Sequence, residues 1–289
     1  MTNRTRWLVA TSAAAIALST VAFPSVAQDA TEPTEPDHLA RILEAGVIRM
    51  STDGLYPPQS ELTPEGTYVG FDIDVGTEIA NRLGVDITFT EPGWDVITAG
   101  SWGDRWDFSV GSMNITVPRM EVIDFTQPYY YTPAQLAARA DLGYTRTDDL
   151  AGKTICVGAA TTYFDWLNGT LEVVSDEPLP EPPEGAVATT LETDRLCAEA
   201  WLAGREDFEG WLSSSTTVQQ AIDDGLPVVA VGEPFFVESL AVAFDKSVED
   251  NDSLVAAVDT IVGEMHADGT LSALSEKWFG ADLTKPSDA

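Results

Sequence analysis

The sequence predicts an α/β protein of two lobes, each an open sheet with helices on both faces, joined by two extended crossovers. Three observations predict it. From residue 37 onward, segments that read as strands alternate with segments that read as helices, and that alternation packs as sheets covered on both sides. Two extended, aromatic, proline-bearing segments, 124–138 (DFTQPYYYTPAQLAA) and 233–244 (EPFFVESLAVAF), stand about a hundred residues apart, as they must if a chain leaves one lobe and later returns. A chain of this length buries roughly 70–75% of its unfolded surface, so neither lobe lacks a core.

The elements follow in order. Arg4 and Arg6 precede a small, apolar run at 8–23 that ends in Ser25-Val26-Ala27, the anatomy of a secretory signal peptide over 1–27. The run is short and Ala/Ser/Thr-rich for a span of roughly 20 residues, and no cysteine near the cleavage site accepts a lipid. The mature chain is therefore expected to start at Gln28, soluble and unanchored, in the periplasm or on the extracellular face. Residues 28–36, acidic and proline-containing, form a flexible tether. Asp37 caps the helix HLARILEA, which stops at Gly46. VIRMST is a strand, FDIDVGTEIANRL a helix with Ile73, Ile79, Ala80 and Leu83 on one face, and VDITFT a second strand. A helix from about Asp95, the strand DFSVGSM and a short helix through Arg119 lead to the first crossover. Beyond it come the strand TICVG, a helix from Thr162, the acidic surface loop SDEPLPEPPEG, and a helix around Leu196 to Ala203. Helices over 252–279 return to the first lobe. The expected division is lobe 1 at 37–134 and 238–289, with lobe 2 at 135–237.

Charge narrows the partners. Acidic side chains number 47 against 15 basic ones, and the net charge of −32 becomes −34 once the leader and its two arginines are gone. Such a surface repels nucleic acid and anionic lipid, and it suits saline surroundings, where screening shrinks self-repulsion. Cys156 and Cys197 belong to an exported chain, which favours a disulfide over two free thiols. Neither has a second cysteine near enough for a metal or redox motif, and no HExxH, GxSxG or phosphate loop is present, so no metal or cofactor is expected.

Chemistry concentrates at a few loops. Thr116 caps a short helix that tolerates Pro118 in its first turn, and Arg119 then stands beside free backbone N–H groups, an arrangement that holds an anion. The alternative is local pairing of Arg119 with Glu121 or Asp124. In the second lobe TICVG runs through Ala159-Ala160 into Thr161 and Thr162 at another helix start, so two such loops suggest closure on one anionic group from both sides. Tyr56, close after Asp53, and Trp94, at a strand-to-helix turn, offer rings to a ligand or to a core. Trp102, Trp106, Trp166, Trp201, Trp211 and Trp278 are assigned to packing.

The motifs STDGLYPP, YVGFDIDVGTEIANRLGV, GWDVITAGSWGDRWDFSVGSMNITVPR, VIDFTQPYYY, DLAGKTICVGAATTY, VGEPFFVESLAVAFDK and EMHADGTLSALSEKWFG occur in this order over nearly the whole mature chain. Together they resemble the bacterial extracellular solute-binding proteins of the polar amino acid family, the receptors of ABC importers. The resemblance implies a type II periplasmic binding fold, a monomer that docks on a membrane permease, and a small zwitterionic solute. It implies that Arg119 clamps the solute's carboxylate with Asn114, Thr116 and Thr161, that Asp53, Tyr56 and Trp94 surround the rest, and that Cys156 pairs with Cys197; Thr162, beside Thr161, and Ser213 join them as candidate ligand contacts.

Two departures concern the ligand. Where relatives that bind α-amino acids end A-G-R-x-D-A-x-x-x-D with an acid for the ammonium, AGREDFEGWLSSS places Leu212 or, with a one-residue slip, Ser213. An ammonium buried without a counterion costs roughly 3–5 kcal/mol. Either Asp53, Glu209 or carbonyl groups take over, or the cation is delocalised or methylated, or the ligand has no α-ammonium. Gln59 also stands where the family's aromatic follows Tyr-Pro-Pro. A compatible solute such as ectoine or a betaine is therefore the second expectation. A dehydratase of cyclohexadienyl substrates on the same scaffold is the third, with Glu209 or Asp53 as general acid. His38 and His266 are placed outside the cleft, and a sensor role would use the same cleft.

Overall fold

Capping chemistry sets the first elements. Asp37 accepts a hydrogen bond from the Ala40 N–H at 2.8 Å and opens α1 (His38–Ala45), and Gly46, at φ 68°, closes it in the left-handed conformation. The computed structural model describes residues 35–175 and 178–286. The expected signal peptide at 1–27 and the expected tether up to residue 34 lie outside the described residues.

After α1 come β1 (Val47–Ser51), a small antiparallel sheet of β2 (Leu55–Tyr56), β3 (Ser60–Leu62) and β4 (Tyr68–Val69), then α2 (Phe71–Leu83). The helix spans the segment its periodicity predicts, and Ile73, Ile79 and Ala80 are buried with Phe71 and Val75. Only glycine fits at its N-cap: a Cβ on Gly70 would stand 2.2 Å from the Gln59 carbonyl oxygen, and φ there is +133°. Next come β5 (Asp86–Thr90), α3 (Trp94–Thr98), β6 (Phe108–Asn114), α4 (Val117–Met120) and the long β7 (Ile123–Arg139). The second lobe holds β8 (Thr154–Gly158), α5 (Thr162–Leu167), β9 (Val187–Leu191), α6 (Asp194–Leu202), β10 (Gly210–Ser214), α7 (Ser215–Asp223) and β11 (Val228–Val231). The chain returns through β12 (Val237–Asp245) to α8 (Asp252–Ala267) and α9 (Thr270–Phe279). No helix among the described residues is long and apolar enough to cross a membrane.

β7 belongs to two sheets. Its residues 123–133 pair antiparallel with β12 in the order β5-β1-β6-β12-β7, where β1 is parallel to both neighbours. Its residues 134–139 pair antiparallel with β10 and β11, and beyond β10 run the parallel strands β8 and β9. Where the partner changes, the crossovers lie side by side, with the Ala134 N–H bonded to the Phe236 carbonyl at 3.0 Å and the Phe235 N–H to the Ala134 carbonyl at 3.0 Å.

Each sheet buries side chains on both faces. In lobe 1 Ile48, Phe71, Phe108, Tyr129 and Val258 pack on one face and Ile97, Trp102, Trp106 and Met113 on the other. In lobe 2 Leu136, Ile155, Trp166 and Leu212 oppose Cys156, Trp201, Trp211 and Val218. The tryptophans assigned to packing are thus buried, except Trp278, which is half-buried against the lobe 1 core. Cys156 on β8 and Cys197 on α6 form a disulfide with Cα atoms 5.8 Å apart, closing a loop of sequence separation 41. For a loop of that length, Cys156→Ser lowers unfolding free energy by about 4 kcal/mol. Denaturant melts of the variant and of the reduced protein measure this, and equal stability would show that the bridge constrains nothing.

Candidate functional site

The cleft is built at the carboxyl ends of the parallel strands, where open α/β sheets leave a crevice for ligands. From lobe 1 come Asp53 after β1, Trp94 after β5, Ser112 and Asn114 at the end of β6, and Arg119 on α4; from lobe 2 come the start of α5 at 161–163 and the β9–α6 turn at 192–194. Glu238, on the returning β12, closes the floor. The chamber these residues enclose is narrow, about 50 Å³.

Arg119 is its cation. Thr116 caps α4 by accepting from the Arg119 N–H at 3.3 Å, and the guanidinium donates to the carbonyls of Asn114 at 3.1 Å and Ala160 at 3.0 Å, the second across the cleft. Trp94 covers it, with 5.7 Å from the guanidinium carbon to the ring centre. The side chain is only 8% exposed, and burial pulls its pKa down. Among the described residues no carboxylate lies within ion-pair distance of Arg119; Asp124 pairs instead with Lys246 at 3.5 Å. The local pairing with Glu121 or Asp124 does not occur.

Opposite stands an acid that sequence reasoning missed. Asp194 is the first residue of α6, capped by Thr193, and its carboxylate accepts from the Gly158 N–H and, at 3.1 Å, from the Ser213 hydroxyl. Burial pushes its pKa up to about 7 against those two hydrogen bonds, and no basic group pairs with it among the described residues. Glu238 is also buried and shifted upward by desolvation, and its oxygens are held by the hydroxyls of Thr162 and Tyr163, each at 2.5 Å. Asp53 is raised for the same reason.

Of the residues singled out from sequence, Asp53, Tyr56, Trp94, Asn114, Arg119, Thr161 and Thr162 meet around this chamber. Thr116 and Ser213 stand one layer back, where Thr116 positions Arg119 and Ser213 positions Asp194. The Thr162 hydroxyl is committed to Glu238 and the Thr161 hydroxyl to the Gly158 carbonyl at 2.8 Å, so neither faces the cleft unengaged. The one-residue ambiguity on β10 resolves cleanly: Leu212 points into the lobe 2 core and Ser213 toward Asp194. Glu209 lies at the far end of that strand, 3.8 Å from Lys153, and does not line the chamber, so it is removed as a substitute acid. The missed signal was VATTLETD, a strand running into a threonine-capped helix start like TICVGAATT, with an acid where Thr162 stands.

Gln59 replaces an aromatic with a clasp. It is fully buried, donates to Thr216 Oγ1 at 2.7 Å and Ser214 Oγ at 3.3 Å, and accepts from Thr217 at 3.2 Å, while Tyr56 donates to Ser214 at 3.1 Å. On the opposite flank the Val117 N–H bonds to the Glu172 carbonyl at 2.9 Å. His38 is held by Asn251 and Asp107, and His266 by the Pro128 carbonyl, both away from the chamber.

Two α/β lobes on paired crossovers, with a buried guanidinium and an unpaired carboxylate in the cleft between them, define a protein that encloses a small polar molecule. The family model of bacterial extracellular solute-binding proteins, family 3, matches residues 48–281, and the chain belongs to that family. It is 32% identical over 251 residues to the L-cystine-binding protein TcyJ of Escherichia coli (strain K12), covering 86% of this chain and 88% of that one. To the L-cystine-binding protein TcyA of Bacillus subtilis (strain 168) it is 28% identical over 256 residues, covering 86% and 87%. The crystal structure of the ancestral amino acid-binding protein AncCDT-1, a precursor of cyclohexadienyl dehydratase, matches with TM-score 0.70 at 27% identity, over 83% of this chain and 99% of that chain.

Proposed function

We propose that this solute-binding protein serves an ABC importer by closing its lobes over an α-amino acid or a close derivative. The observation that carries the reading is a charge pair prepared for a zwitterion: Arg119 from lobe 1 and Asp194 from lobe 2, both buried in one chamber and neither in a close ion pair among the described residues. Arg119 takes the carboxylate with its bidentate fork. Asp194, held ready by Gly158 and Ser213, takes the ammonium. A solute that touches both lobes prefers the closed form and so shifts the population toward it. We take the lobes to divide at 133/134, where β7 changes partner from β12 to β10 and β11, and at 236/237, where β12 begins.

Asp194 removes the reason for preferring a betaine or ectoine, because the acid missing from β10 is supplied by α6. The curated relatives named above are binding proteins, and we read this chain as a binding protein rather than a dehydratase: the cleft acids are fixed as hydrogen-bond acceptors that receive a cation. Residues 1–27 act as the export signal, and the mature chain works outside the cytoplasmic membrane as a monomer that delivers solute to its permease.

A thermal-shift screen against amino acids, betaines, ectoine and prephenate tests the reading. An amino acid at a hundred times its Kd adds about 2.7 kcal/mol of stability, roughly 5–10 °C for a protein of this size. A response confined to betaines or ectoine, or consumption of prephenate, would replace this reading with one of the alternatives.

A further inference from the structure

The cleft does not end at Trp94. Beyond that ring a second, outer chamber of about 440 Å³ opens, and it shares Asp53, Trp94, Glu192 and Thr193 with the inner chamber at Arg119. The inner chamber, about 50 Å³, is much the smaller of the two. On the reading given above it takes the charged head of an amino acid. A longer ligand has a continuous extension where the two chambers share walls.

The outer walls carry one sign of charge. Asp53, Glu91 and Glu192 line it, no lysine or arginine does, and none of the three acids lies in an ion pair among the described residues. Glu91 is set there by a close fit: a Cβ on Gly54 would overlap its carboxylate oxygen at 1.8 Å, so the glycine lets the acid lie across the β1–β2 turn. Two buried polar groups on the same walls are unsatisfied. Thr52 is fully buried and its hydroxyl has no hydrogen-bond partner among the described residues, and the Trp94 indole N–H has none either. Buried polar atoms are nearly always paired, by protein, water or ligand. Leu55, Leu62 and Leu196 supply apolar surface for a hydrocarbon stem.

We propose that the outer chamber is a second binding subsite, which takes the distal, positively charged end of an elongated amino acid whose α-carboxylate and α-ammonium occupy the inner chamber. The proposal rests on the reading of Arg119 and Asp194 given above and adds the ligand's length and its second cation. Glu91 and Glu192 receive an ammonium or guanidinium, and the leucines cover the stem that reaches it.

Titration calorimetry with L-lysine, L-arginine, L-norleucine and L-alanine on the native protein and on the Glu91→Gln variant tests it. Glu91 is exposed and lines the outer chamber but not the inner one. L-lysine or L-arginine binds at least tenfold tighter than L-norleucine, which has a similar stem without the cation, and at least tenfold tighter than L-alanine. The variant loses that tenfold advantage and leaves L-norleucine and L-alanine within about twofold. If L-alanine or L-norleucine binds as tightly as L-lysine and L-arginine, or if the variant keeps the advantage, the outer subsite is wrong while the inner one stands. If none of the four binds, or if Arg119→Ala leaves binding unchanged, the amino acid reading fails and the subsite falls with it.

Discussion

Arg119→Ala abolishes measurable solute binding and leaves the fold standing. The ligand carboxylate then enters a chamber whose remaining charged groups are all acidic, and stranding a buried charge costs roughly 3–5 kcal/mol, a hundredfold or more in Kd. The fold survives for a separate reason. Arg119 donates only to the carbonyls of Asn114 and Ala160, and it neutralises no acid at close range among the described residues. Its nearest charged neighbours act at a distance, and Glu238 keeps its bonds from Thr162 and Tyr163. Calorimetry should therefore show no binding while the melting temperature of the ligand-free protein stays within a few degrees. Arg119→Lys retains the charge without the planar fork and recovers only part of the affinity. Unchanged affinity in the alanine variant would remove Arg119 from the site.

Asp194→Asn has a comparable effect and adds a pH signature. In the ligand-free protein burial holds this carboxyl at a pKa of about 7, whereas an ammonium ligand binds its ionised form. Below pH 7 binding must first expel a proton, so affinity falls with decreasing pH, approaching tenfold per unit, and is flat above pH 7. The asparagine variant loses about a hundredfold in affinity, on the same buried-charge argument, and loses this slope.

Stability runs in the opposite sense. Because the folded pKa is raised, the native state retains a proton between about pH 4 and pH 7 that the unfolded state has released. Ligand-free stability therefore rises as pH falls through that window, by at most about 1.4 kcal/mol per unit for one such group. Asp72 contributes a second such slope, for burial also pushes it up to about 7 against hydrogen bonds from Tyr129 and Ser112. Glu238 and Asp53 are shifted the same way by burial, and Arg119 opposes the shift at Glu238. Asp194→Asn flattens the curve without abolishing it. A pH series of melts and titrations on both proteins separates the two effects, and an unaltered affinity slope in the variant would place the titrating group elsewhere.

Legibility followed the range of the forces involved. Helix α2 could be read to the residue because its apolar period acts within a turn or two of chain. Arg119 could be read because Thr116, Pro118 and the short helix are adjacent. Ser213 against Leu212 could not, since a one-residue slip in a strand exchanges the two faces, and only pairing of β10 with β7 and β8 sets which side chain meets the core. Gln59 looked like the loss of an aromatic wall. It became a clasp once Ser214, Thr216 and Thr217, some 155 to 158 residues away, were brought beside it.

By itself the sequence determined the alternation of strands and helices, the two crossovers, and the presence of one arginine at a capped helix start among many acids. Those features depend on hydrophobic period, capping and charge, which neighbouring residues set. Only the tertiary structure decided which of the many carboxylates matter. Asp194 gains its role because sheet order places Gly158 and Ser213 at its oxygens, and Glu238 gains its own because β12 returns beneath α5 to meet Thr162 and Tyr163. Desolvation within the cleft distinguishes these acids from the exposed majority, and desolvation is a property of the packed chain rather than of any segment of it.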